Sequence, residues 1–295
     1  MGKKDLTTKV LEDYNDVFAD IMNVLLFKRY LITEDSIENG PTESVYKVEN
    51  NAYREQRRDV LKKYKGTDVI IASLGIENQS GVDVHMPIRI MGYDYASYRS
   101  QVDNKEELHP VITLVLNFSK TDWNEPRNLL GLLKISDELK GLVFDYGCHV
   151  ADVHLLDDEI IEQFQSDFKY VAYFFKYGEA CIEKIGDVGR LVHPQEVIDL
   201  LAVFNNKDMS NTKKEIDRRL KEGQVVNMCT IVQDIENKGM TLKIISQIRK
   251  KRAKEVAPED CAEMLEVDVL FVRKVYELID QYPDMSDREL YQKID

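Results

Sequence analysis

Cysteine, positive charge and long apolar runs are all in short supply in this 295-residue chain, and each shortage excludes something. The four cysteines, Cys148, Cys181, Cys229 and Cys261, lie about thirty or more residues apart with no paired spacing, so no disulfide framework is written into the chain. A reducing, cytoplasmic setting is expected. No apolar run approaches the ~18 residues that a membrane span needs, and Met1 to Thr8 lacks the apolar stretch of a secretory signal, so no membrane partner is expected. Neither usual Gly-rich phosphate loop occurs, and no Ser/His/Asp nucleophile pattern emerges. With 40 basic against 53 acidic residues the net charge is −13, which excludes a protein that coats nucleic acid through a whole-surface positive field. A local basic site is still allowed.

The charge that is present is unevenly placed. Residues 1–121 carry 16 Lys+Arg against 19 Asp+Glu, residues 122–199 carry 7 against 16, and residues 205–295 carry 17 against 18. Two short stretches reverse the acidic trend. Arg54 to Lys65 holds Arg54, Arg57, Arg58, Lys62, Lys63 and Lys65 against Glu55 and Asp59, and Arg249 to Lys254 holds five bases and no acid. Either can meet phosphate, and the plain alternative for both is a solvated face.

Hydrophobic periodicity divides the chain into an α/β part and a helical part. Val17, Phe18, Ile21, Met22, Val24, Leu25 and Phe27 predict a first helix, followed by a turn-rich surface connection from Thr33 to Thr42. Arg58 to Tyr64 and Val69 to Ile76 predict two strands joined at Lys65-Gly66-Thr67-Asp68, the second apolar enough for the interior of a sheet covered on both faces. Met86 to Val102 predicts a helix with Pro87 in its first turn, and Val111 to Phe118 a buried strand. A further extended segment is expected within Leu142 to Leu156. Ile160, Phe164, Phe168, Val171 and Phe175 predict one long helix. Beyond it every periodic stretch is helical: His193 to Phe204, Lys213–Lys221, Val225–Asn237, Leu242–Lys254, Pro258–Leu265 and Asp268–Tyr282, with Asn205 to Thr212 as the best linker.

The predicted hairpin carries the chemistry. Acids on neighbouring strands chelate hard divalent cations, and Asp59 stands at the start of the first strand with Glu77 and Gln79 at the end of the second. Residues two apart on a strand share a face, so Glu77 and Gln79 are co-facial. A turn centred at position 68 sets Asp59 opposite Glu77. A turn centred on Gly66 offsets them by about four residues, some 13 Å along a flat ladder, which strand twist would have to close.

Three runs, Arg57-Arg58-Asp59-Val60-Leu61, Leu74-Gly75-Ile76-Glu77-Asn78-Gln79-Ser80 and Met86-Pro87-Ile88-Arg89 with Tyr93-Asp94, together resemble the recombination-promoting nuclease/putative transposase family. That family belongs to the PD-(D/E)XK nuclease superfamily. Phe18-Ala19-Asp20-Ile21-Met22-Asn23 and Pro110-Val111-Ile112-Thr113-Leu114 extend the similarity over roughly residues 10–180. The resemblance implies a restriction-endonuclease-like α/β core, a mixed sheet flanked by helices, over residues 1–180, with a helical C-terminal region over 181–295. By the same resemblance Asp59 is the metal-binding aspartate, Glu77 the second acidic ligand, and Gln79 takes the place of the superfamily's nominal lysine. The implied chemistry is hydrolysis of DNA phosphodiester bonds, with Mg²⁺ (or Mn²⁺) between Asp59 and Glu77 lowering the pKa of a bound water. Two residues depart from the nominal motif: Arg58 stands where proline would, and Gln79 supplies an amide dipole where lysine would supply charge. Around this centre the expected helpers are Asp20, whose plain alternative is a solvated helix face, and Arg89, toward the second-strand carboxylate or a phosphate. Arg54, Arg57, Lys62 and Lys63 are the expected DNA-backbone contacts.

Other features are weaker. Cys148-His149 with His154 lacks a fourth metal ligand at usable spacing, and Trp123 reads as a packed anchor rather than a base-stacking platform. Residues 257–282 resemble a helix-turn-helix with Asp268 capping its second helix, but Arg273 and Lys274 there alternate with Glu277 and Asp280, a poor recognition face. Packing or self-association through the helical C-terminal region is the better reading. A second functional class therefore stands beside the nuclease: a non-catalytic DNA-binding or regulatory protein on a degenerate nuclease fold, motivated by the missing lysine.

Overall fold

The computed structural model describes residues 11–40, 43–47, 53–57, 60–64, 69–76, 82–185, 189–204 and 209–294. The chain divides into two compact units, Met1–Met228 and Cys229–Asp295. The first is mixed α/β and the second is helical.

The first unit opens with α1 (Asn15–Ile21), whose Val17, Phe18, Ala19 and Ile21 are buried as their spacing predicts. The helix then widens into a π-helical segment, Met22–Phe27, and stops at Lys28, which sits in the left-handed region at φ 55°. Buried Asn23 secures this end. Its amide donates to the Ile32 carbonyl at 2.7 Å and its Oδ1 accepts from the backbone N–H groups of Leu31 and Ile32. The expected surface connection accordingly contains a short strand, β1 (Ile37–Asn39).

Next come β2 (Glu43–Lys47) and β3 (Tyr53–Arg57), an antiparallel pair that forms its own small sheet, then β4 (Val60–Tyr64), β5 (Val69–Ile76), α2 (Met86–Asp103), β6 (Val111–Asn117) and β7 (His149–Asp152). The main sheet has the order β1-β4-β5-β6-β7. β1, β4 and β5 run antiparallel to one another in turn, whereas β5–β6 and β6–β7 are parallel. Helix α2 supplies the crossover that a parallel β5–β6 pair requires. Six of the seven residues of β6 are buried, the signature of a strand covered on both faces and the reason its sequence is an unbroken apolar run.

The single long helix expected over 160–175 is broken. α5 (Asp158–Ile161) and α6 (Phe168–Tyr177) are separate, because the backbone between them is claimed by other partners. Gln165 and Ser166 give their N–H groups to Asp20, and Asp167 turns back to accept from Val192 and His193. The apolar spacing nevertheless reports burial correctly: Phe164, Phe168 and Val171 are all in the core. α7 (Cys181–Ile185), α8 (Pro194–Phe204) and α9 (Ser210–Lys221) complete the unit, α9 starting inside the stretch expected to be linker.

The second unit joins two expected helices into one, α10 (Met228–Arg252), followed by α11 (Pro258–Leu265), α12 (Val269–Gln281) and α13 (Asp287–Ile294). Its core gathers Ile245, Ile248, Cys261, Val272, Val275, Tyr276, Ile279 and Leu290. Asp268 caps α12 as expected, accepting from the N–H groups of Leu270 (2.6 Å) and Phe271 (3.3 Å). The basic stretch 249–254 is partly spent internally. Arg249 pairs with Asp287 and Arg252 with Asp280. Among the described residues no helix is long and apolar enough to cross a membrane.

Candidate functional site

In an α/β sheet the place to look is the carboxyl end of the parallel strands, where loops leave the sheet and backbone groups are free to meet a ligand. The registers Ile76↔Asn117 and Asn117↔Asp152 bring the ends of β5, β6 and β7 into one row. Asp59, Glu77 and Gln79 lie outside the described residues. The described hairpin pairs Val60 with Ser73 and Tyr64 with Val69, which centres its connection between 66 and 67, close to the Gly66 alternative and not at 68.

The polar lining of this sheet end is well defined. Asn117, fully buried, donates to Asp152 Oδ1 at 2.6 Å and to the Thr121 carbonyl at 2.9 Å, while its own Oδ1 accepts from the Ser119 N–H. Asp152 also accepts from the Trp123 N–H at 3.1 Å and faces Arg127 at 3.4 Å. The arrangement fixes the loop after β6 and leaves Arg127, half-exposed, as a cation beside the sheet end. Sequence reasoning passed over Asn117, Asp152 and Arg127. The one available signal was a polar residue closing the apolar run of β6.

Helix α2 begins beside this row. Asp83 accepts from the His85 N–H and from Arg89 Nη1 at 2.8 Å, and Arg89 Nη2 reaches the Tyr93 hydroxyl at 3.2 Å. Burial alone would raise the Asp83 carboxyl, but the bonds from Arg89 and the His85 backbone outweigh it and hold the group below its usual value. Arg89 is therefore oriented by Asp83 and Tyr93 and still half-exposed at the mouth of the helix. Deeper in, Asp94 accepts from Thr113 (2.7 Å) and Tyr146 (2.6 Å), tying α2 to β6. Met86, Ile90, Tyr93, Val115 and Trp123 pack together there, so Trp123 is the anchor its sequence context suggested.

Asp20 is not on a solvated face. It is buried, and Oδ2 accepts from the backbone of Gln165 (2.8 Å) and Ser166 (2.7 Å) while Oδ1 has no hydrogen-bond partner. Burial pushes its carboxyl up, against the lowering effect of the Ser166 and Gln165 bonds. The described structure thus gives Asp20 the work of anchoring the loop before α6.

The basic run is divided by the topology. Arg54 and Arg57 lie on β3 in the small sheet, and Lys62 and Lys63 on β4 in the main one. Alternation then separates the two lysines. Lys62 corrects the expectation of a DNA contact: it is buried, and its ammonium donates to the Asp13 carbonyl (2.6 Å), the Asp13 carboxylate (3.0 Å) and Asn39. Lys63 faces out toward Glu106 at 3.5 Å.

Cys148, His149 and His154 do not converge on a metal, and no group of three or more His, Cys, Asp or Glu does so among the described residues. Cys148 donates to the Arg127 carbonyl and burial pushes its thiol up, whereas His154 pairs with Asp122 at 2.9 Å. Cys148 and His149 instead line an open cavity of about 530 Å³ with Lys28, Arg127 and Asp157.

No curated protein and no solved structure matches this chain. Residues 48–185, which run from β3 through α2 and the parallel strands to α7, match the model of the putative transposase, YhgA-like, family.

Proposed function

We propose that this protein is a metal-dependent DNA endonuclease of the transposase-like kind, hydrolysing phosphodiester bonds with Asp59 and Glu77 as metal ligands and Gln79 beside them. The family match carries the reading, because residues 48–185 include all three positions and make DNA the expected partner. The fold is compatible with it. One helix, three successively antiparallel strands β1, β4 and β5, a crossover helix and a parallel strand follow one another, with Glu77 immediately after the end of β5. The donor set is also apt, since two carboxylates and an amide offer the oxygen ligands that Mg²⁺ or Mn²⁺ takes. A bound divalent ion supplies an activated water and neutralises charge developing on the phosphate. The chain's own share is cationic: Arg89, oriented by Asp83 and Tyr93, and Arg127, beside Asp152, stand near the sheet end where a phosphate would lie.

Gln79 favours a second reading, a DNA-binding or regulatory protein on a degenerate nuclease fold, because an amide cannot replace the lysine's charge. Plasmid nicking with and without Mg²⁺, in the natural chain and in Asp59→Ala, separates the two. Metal-dependent nicking lost in Asp59→Ala supports the enzyme. DNA binding without nicking under any divalent ion supports the alternative.

A further inference from the structure

Helix α2 has two apolar faces, and only one of them is used. Met86, Ile90 and Tyr93 pack inward with Val115 and Trp123. On the outward side stand Val84, just before the helix, then Ile88, Met91, Tyr95, Tyr98 and Val102, every one an exposed large apolar residue, with Tyr95 66% and Val102 53% accessible. Their spacing is four, three, four, three, four, the a/d pattern of a helix that pairs with another helix. A crossover helix in a soluble α/β unit ordinarily turns charge to solvent. Here the flanking ions are occupied with one another, Arg89 with Asp83 and Arg99 with Asp103, and the stripe between them is uninterrupted.

We infer that this stripe is a self-association surface on which α2 of a second copy packs antiparallel. The pattern itself selects the occupant. When the six positions are reversed about residue 93, each falls opposite another member of the set: Val84 faces Val102 of the second copy, Ile88 faces Tyr98, and Met91 faces Tyr95, with every pair repeated by symmetry. A two-fold interface requires this reciprocity, in which i meets j and j meets i, whereas an unrelated partner does not. The axis passes beside Gly92, where the missing side chain lets two backbones approach. The Met91–Tyr95 layers place sulfur against an aromatic ring, and Tyr and Met are residues enriched at interfaces. With aromatic side chains near ~200 Å² each, the stripe offers roughly 500 Å² per copy, about 1,000 Å² in all, the lower edge of what a specific interface buries. Tyr98 is held ready for it, its hydroxyl accepting from the Val111 N–H at 3.0 Å while its ring edge stays accessible.

Sedimentation equilibrium of the full chain, at concentrations of roughly 50 µM to suit a micromolar association of this area, tests the inference. The natural chain is expected at twice 34.2 kDa, and Tyr95→Lys and Met91→Glu are each expected to reduce it to a single copy. An equimolar mixture of the two variants is expected to regain the doubled mass, because the introduced cation and carboxylate then face each other across one layer while the other layer is natural. Both positions are exposed, and unchanged Trp123 fluorescence verifies folding. Three results overturn the inference. A natural chain of 34.2 kDa leaves the stripe unpartnered by its own kind. Single variants of doubled mass put the contact elsewhere, the C-terminal helices included. A mixture that stays single breaks the antiparallel register.

Discussion

Replacing Asp20 probes how a buried carboxylate can be both expensive and necessary. In Asp20→Ala the N–H groups of Gln165 and Ser166 lose their acceptor. Leaving a buried donor unsatisfied costs about 1–3 kcal/mol, so two of them set a loss of about 2–4 kcal/mol after the relief of removing a desolvated charge. In a unit of this size that is a fall in Tm of roughly 5–15 °C. Asp20→Asn keeps an acceptor for the loop and should lose no more than about 1 kcal/mol. The two variants also differ from the natural chain in pH response. Burial raises the folded-state pKa of Asp20 above the ordinary 3.8, so its contribution is fully present below 3.8 and is lost as pH rises through the folded value. The stability advantage of the natural chain over Asp20→Asn should therefore be largest in acid and shrink toward neutrality, and the difference cancels groups common to both. Urea unfolding followed by the fluorescence of Trp123 isolates the effect, because this lone tryptophan is buried in the same unit as Asp20. An Asp20→Ala midpoint indistinguishable from the natural one at neutral pH would refute the anchoring role.

The neighbouring lysines of β4 should behave as opposites: Lys62→Ala should cost about 3 kcal/mol, since Asn39 and the Asp13 carbonyl lose their buried donor, and Lys63→Ala no more than about 0.5 kcal/mol, with equal urea midpoints refuting the division. Glu77→Gln should abolish metal-dependent cleavage with the fold intact, because an amide keeps the size and loses the charge, and cleavage at the natural rate would remove Glu77 from the site. Replacing Arg54, Arg57 and Lys63 together with Ala should weaken DNA binding and flatten the log–log salt slope by up to about 3, and an unchanged slope returns these residues to a solvated face. Gln79→Ala should slow cleavage about 10²-fold, the lower range for losing one oriented donor, while Gln79→Lys keeps or raises it. Nuclease activity appearing only in Gln79→Lys would favour the degenerate-fold reading.

The sequence by itself determined the elements whose periodicity is locally complete. The buried run Val111–Leu116 could be nothing but an interior strand, Pro87 could open a helix but not sit within one, and Asp268 was legible as a cap because a cap is a local arrangement. It also determined the family resemblance, which rests on ordered short motifs. Tertiary structure alone decided what depends on partners distant in the chain. Phe164 and Phe168 keep helical spacing across a broken helix because Asp20, some 145 residues away, takes the backbone N–H groups between them. Lys62 and Lys63 are identical neighbours in the sequence, yet the sheet turns one toward Asp13 and Asn39 and the other toward solvent, a choice made by which face of β4 is covered. The row Ile76, Asn117 and Asp152 exists only through the parallel registers of three strands. Hydrophobic pattern reports which residues are buried, because burial is a property of composition along an element. It does not report against what they are buried, because a polar partner leaves no period in the chain.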